Sequence, residues 1–192
     1  AAQNRLEALR TAGVPTDNYN WAKAKCWLEA ANTAYSENDR SGFGGQAQQE
    51  AEQLLSALEA DKNAPPHYGA PQAASLRPDL QAKLKDLQAQ AGANCGAQNM
   101  ACAEVQLARA AHELNRFGRK AAAPYLYVAQ CAVDDAQKQV AACAPKTAQR
   151  VEKFTLTADA LFYFDRSGVN DVLPQWREKM PPFVESLKTW QH

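Results

Sequence analysis

The stretch ACAEVQLARAAHELNRFGRKAAAPYLYVAQCAVDDAQKQVAAC, residues 101–143, decides the fold. Within it Ala103, Leu107, Ala110, Leu114 and Phe117 recur at helical steps and mark one apolar face. A Gly-containing turn interrupts the pattern. A second stripe, Leu126, Ala129, Val133, Ala136 and Val140, resumes it over about Pro124–Cys143. Two such stripes joined by a short turn predict an antiparallel helical hairpin over about residues 100–143.

Working outward, subtracting 79 from the first stripe gives Ala24, Leu28, Ala31, Tyr35 and Asn38, of which the first four correspond in type. Trp21 precedes them on the same face, after N-cap oxygens at Thr16, Asp17 and Asn18. Gly42, Gly44 and Gly45 mark a turn, and Ala47, Ala51, Leu54 and Leu58 form the return stripe. A hairpin over about residues 18–60 is expected. The two hairpins are either related units or a chance agreement of two Ala-rich patterns. A short helix at residues 3–12, a Pro/Gly-rich linker at about 62–75 and a helix opening at Pro78 with Leu76, Leu80, Leu84 and Leu87 complete the plan.

Of 39 alanines, 37 fall in residues 1–150, whereas 7 of the 16 aromatic residues fall in the last 42. Alanine favours helix but buries little per side chain. The shift therefore divides the chain into an α-helical domain, residues 1–148, and a different module, residues 149–192, where Phe154, Leu156 and Ala158 alternate as in a strand. The expected fold class is mainly α: antiparallel helical hairpins with a short β-containing C-terminal segment.

Acidic and basic residues balance at 21 each, so no electrostatic footprint for nucleic acid or an anionic membrane surface is present. No apolar run has the length of a transmembrane helix. The start at Ala1-Ala2-Gln3, without Met, points to a processed or trimmed chain. Cys26, Cys95, Cys102, Cys131 and Cys143 include no CxxC pair, so disulfides in an exported protein fit better than zinc or a thioredoxin-like motif. If the second hairpin turns near residue 120, its mirror relation puts Cys143 opposite about residue 97. Cys95 is then the first candidate partner and Cys102 the next, with Cys131 and Cys26 behind them.

Reactive motifs are scarce. His112-Glu113 begins like HExxH, but position 116 is Arg, so a structural histidine is the better reading. His67 and His192 are dispersed, and no GxSxG, GxGxxG or Walker pattern occurs. Asp39-Arg40-Ser41-Gly42 and Asp165-Arg166-Ser167-Gly168 repeat one tetrapeptide whose residues favour turns. No catalytic residue, cofactor or metal is expected. Trp27 stands off the apolar stripe and either covers a neighbouring helix or joins Tyr125 in a partner surface.

Residues 153–168, KFTLTADALFYFDRSG, resemble the opening of the OmpA-like domain, in which a strand leads into the first helix. The resemblance implies an envelope protein, periplasmic or outer-membrane associated, with a helical spacer or docking module ahead of a peptidoglycan anchor. In that family the ligand is gripped near GHTD and LSxxRA motifs. Neither occurs in these 192 residues, so peptidoglycan binding is expected only through a segment beyond them, with other envelope proteins as partners. The competing expectation is a periplasmic adaptor or a helical module that holds a small ligand.

Overall fold

The computed structural model describes residues 1–70 and 76–143, which lie in one unit, Ala1–Thr147. The expected β segment and the 149–192 module fall outside the described residues. Six α-helices are described: α1 (Ala2–Thr11), α2 (Tyr19–Ser36), α3 (Phe43–Ala60), α4 (Pro78–Gln88), α5 (Ala97–Phe117) and α6 (Arg119–Cys143). A short 3₁₀ turn, Ala93–Gly96, leads into α5. The mainly helical, hairpin architecture is as expected: α2 packs on α3, and α5 on α6.

Local chemistry sets the ends. The Asn18 side chain accepts a hydrogen bond from the Trp21 N–H at 3.1 Å and caps α2. Pro78 occupies the first turn of α4, where its missing N–H costs nothing. Gly118 joins α5 to α6 with φ +83° and ψ −172°, a conformation essentially confined to glycine.

Two apolar clusters form the core. The first joins Leu6, Leu9, Trp21, Trp27 and Leu28 to Phe43, Leu54, Leu55 and Leu58, and takes Val105 and Ala108 from α5. The second joins Leu80, Leu84 and Leu87 to Met100, Ala103 and Leu107 and to Ala129, Val133 and Val140, and takes Tyr19 and Ala22 from α2. Helices α2 and α5 thus contribute to both clusters and tie them together.

Three positions differ from the periodicity: Phe117, at the end of α5, is 64% exposed, and two others lie on α2. Trp27 is 1% exposed, against Phe43 at a centroid distance of 6.4 Å, so it is core and not a partner surface. Tyr35, on the expected stripe, is 87% exposed. The reason is common to both. The N-terminal half of α2 is buried on nearly every side, whereas of its last eight residues only Ala34 is buried, which leaves Tyr35 beside it facing solvent.

The cysteines form two bonds. Cys26–Cys102 joins α2 to α5 with Cα atoms 5.5 Å apart, and Cys95–Cys143 joins the start of α5's hairpin to the end of α6 at 6.3 Å. Their separations of 76 and 48 residues make each worth about 4 kcal/mol in chain-entropy terms. Cys131 is free and exposed.

The 3₁₀ turn approaches α6 closely at Gly96. A Cβ there would lie 2.8 Å from Val140 Cγ2 and 3.1 Å from the Ala136 carbonyl oxygen. Gly96→Ala is therefore expected to destabilise the fold by about 1–3 kcal/mol through overpacking. Urea unfolding measures it, and a wild-type midpoint would show that this approach is not a constraint.

Candidate functional site

Two polar clusters bridge α2 and α5, one within the core and one at the α2–α3 turn. In the first, Lys23 and Glu104 form an ion pair at 2.7 Å with side chains 1% and 3% exposed. Lys23 Nζ also donates to the carbonyl oxygens of His67, at 2.7 Å, and Gly69. Glu104 Oε1 accepts from the Gly69 N–H at 2.8 Å and from Gln88 at 3.0 Å. Asn20 completes the fastening: its amide donates to Pro65 O at 2.9 Å and its oxygen accepts from the His67 N–H at 2.8 Å. The part of the linker up to residue 70 is thus a strap held against α2 and α5. Tyr19, edge-on to Tyr68 at 4.9 Å, sits beside the pair. Burial, then the Glu104 carboxylate, pushes the hydroxyls of both tyrosines above their ordinary range.

The second cluster assembles around Asp39. Asp39 Oδ1 accepts from the Ser41 N–H at 2.9 Å, and the Ser41 hydroxyl accepts from the Phe43 N–H at 3.3 Å. The DRSG tetrapeptide at 39–42 is turn and cap chemistry, while the copy at 165–168 falls outside the described residues. From α5, His112 Nε2 lies 3.2 Å from Asp39 Oδ2 and Arg116 pairs with Oδ1. Burial raises the Asp39 pKa, but the Ser41 hydrogen bonds, then Arg116 and His112, outweigh it and hold the carboxyl at about 2. Arg109, buried, pairs with Glu37 and with Glu113 at 2.8 Å and lies between the rings of Phe43 at 4.8 Å and Tyr125 at 5.3 Å. Its Nη1 makes no hydrogen bond among the described residues. His112 also stacks on Phe43 at 4.6 Å.

Ser41, His112 and Asp39 invite comparison with a nucleophile–base–carboxylate relay. The geometry differs in kind. Ser41 Oγ lies 3.1 Å from His112 Nε2, the same nitrogen that faces Asp39. A relay needs the hydroxyl and the carboxylate on opposite ring nitrogens. The cluster is built to hold the turn. Among the described residues no group of three or more His, Cys, Asp or Glu side chains is placed to hold a metal ion.

Of the candidate residues, Cys95 and Cys143 are bonded to each other, Cys102 to Cys26, and Cys131 to neither. Tyr125 is half-buried beneath Arg109, and Trp27 is enclosed, so the two make no shared exposed patch. Among the described residues the exposed aromatic residues are instead Tyr35, Tyr68, Phe117 and Tyr127. Lys23, Glu104 and Arg109 escaped the sequence reading. The available signal was a charge inside an apolar face: Lys23 shares its side of α2 with Trp27, one turn on, and Glu104 is flanked by Ala103 and Val105.

No protein-family model matches the chain, and neither the curated proteins nor the solved structures contain a match.

Two expectations follow. Lys23→Met should cost about 3–5 kcal/mol, because Glu104 is left charged and buried. Adding Glu104→Leu should not restore wild-type stability, since the strap's backbone groups still lose their partners. Full recovery in denaturant unfolding would show that the pair does not hold the strap. The Asp39 carboxyl, depressed in the folded state, contributes stability that is present above about pH 4 and is lost as pH falls through about 2. Asp39→Asn should remove that part of the acid slope, leaving the part due to Asp79, also held at about 2 by Arg77. Melting curves between about pH 2 and pH 5 read the difference; identical slopes would mean that Asp39 is not coupled to folding.

Proposed function

We propose that the chain is a non-catalytic cell-envelope protein, a helical spacer or docking module attached to an OmpA-like peptidoglycan-anchoring domain. The observation that supports export is the pair of disulfides, Cys26–Cys102 and Cys95–Cys143, which bridge separate helical segments and are characteristic of oxidising compartments. The periplasm or the periplasmic side of the outer membrane supplies that environment. Among the described residues no helix is long and apolar enough to cross a membrane. The anchoring half of the proposal draws on the resemblance at residues 153–168, and neither the GHTD nor the LSxxRA motif occurs in these 192 residues.

In this reading the bundle works by rigidity. Two long hairpins, joined by one disulfide, with a second closing the α5–α6 hairpin, and keyed together by a buried ion pair, transmit position between what they contact and what they are attached to. Their outer faces are polar, rich in Gln, Glu and Lys.

Alkylation of the native protein before and after reduction tests export. One thiol, Cys131, should react in the oxidised protein and all five after reduction, read as adducts by intact mass. Five adducts without reductant, in protein taken directly from cells, would end the envelope reading. The anchor is tested separately by reading the encoding DNA past codon 192 for the GHTD and LSxxRA segments.

A further inference from the structure

Helix α3 opens with Phe43-Gly44-Gly45, after Gly42. Glycine is, after proline, the costliest residue to keep inside a helix, so each one asks for a reason. Gly42 has one in its φ of +88°. Gly44 sits against α2, where an added Cβ would meet the Ala34 Cβ at 3.5 Å, an ordinary contact. Gly45 has neither: its φ is not positive, and an added Cβ would meet nothing within 4 Å. What Gly45 borders is open space, a groove of about 330 Å³ between the end of α2 and the start of α3.

The groove is lined by Asn32, Tyr35, Asp39 and Gln48 beside the three glycines. Tyr35 is 87% exposed, and neither it nor Asn32 makes a side-chain hydrogen bond among the described residues. Gln48 uses its Nε2 on Glu52 at 2.8 Å and keeps its oxygen free. Gly42 brings no side chain to cap the first turn of α3, which leaves the Gly44 and Gly45 N–H groups facing outward. The turn below is held in place by Ser41, His112 and Arg116 acting on Asp39.

That lining is selective. Neutral amides both donate and accept, and so does the phenol. The one ionised side chain in the lining, Asp39, has its oxygens taken by Ser41, His112 and Arg116, and no lysine or arginine lines the groove to hold a phosphate or carboxylate. An unpartnered aromatic ring offers a flat apolar platform beside these polar groups. We propose that the groove binds a neutral saccharide, with its C–H face on Tyr35 and its hydroxyls on Asn32, Gln48 and the Gly44 and Gly45 N–H groups. Gly45 lacks a side chain because the sugar takes its place. The site belongs to the bundle alone and does not depend on export or on the anchor.

The test is ¹H–¹⁵N NMR on the full chain, titrated with maltotriose, chitotriose, galactotriose and mannotriose, and separately with inorganic phosphate. At least one sugar should shift the Gly44, Gly45 and Asn32 amides saturably. Tyr35→Ala, at an exposed position, should weaken that binding by about tenfold or more, roughly one good contact. Gly45→Leu should abolish it while raising the melting temperature, because leucine is the better helix former. That rise separates a filled groove from a misfolded protein. Silence from all four sugars up to about 10 mM, near the weakest affinity a specific site would show, overturns the proposal. So does saturation by phosphate alone, or sugar binding unchanged by both substitutions.

Discussion

The rest of the structure depends on one buried ion pair. Removing Lys23 and Glu104 from water costs several kcal/mol for each ion, and their attraction offsets this only if the remaining protons and lone pairs are satisfied. They are: Lys23 finds two carbonyl oxygens besides Glu104, and Glu104 accepts from Gly69 and Gln88. Satisfying the pair fixes α2 against α5, the strap up to residue 70 against both, and α4 through Gln88. Cys26 lies one helical turn beyond Lys23, and Cys102 two residues before Glu104, so the covalent link and the ionic link secure the same crossing. This crossing lies between the two apolar clusters, to both of which α2 and α5 contribute.

The α2–α3 turn applies the same logic nearer the surface. Arg109 reaches from α5 between Phe43 of α3 and Tyr125 of α6, so a single guanidinium joins three helices. Its charge is answered by Glu37 and Glu113 and by the ring faces, even though Nη1 makes no hydrogen bond among the described residues. Asp39, gripped from two sides, closes the turn and sets the bearing of the first residues of α3. A groove that opens beside this turn has a rigid floor, which lowers the ordering cost of any ligand that enters it.

How much could be read from the residues varies by level. The six helices and the two hairpins follow from apolar periodicity and turn chemistry, because both are local properties. The Cys95–Cys143 bond lies within one hairpin, where the mirror relation about the turn brings those positions close. Cys26–Cys102 spans two hairpins, and nothing local to either specifies how they cross. Trp27 and Tyr35 fail for the same reason. A stripe gives the direction of the core, whereas burial depends on what surrounds that turn of helix: Trp27 is enclosed and Tyr35 is 87% exposed.

By itself, then, the sequence determined the helices, their hairpin pairing, the absence of net charge and the disulfide-forming character of the cysteines, all set by side-chain type and short-range spacing. The tertiary structure alone decided which charges are buried, which thiol is left over, which aromatic residues face solvent, and that Gly45 opens onto a groove. These are properties of contacts between residues tens of positions apart. Lys23 and Glu104, 81 residues apart, become a pair only when two independently formed hairpins cross at one place.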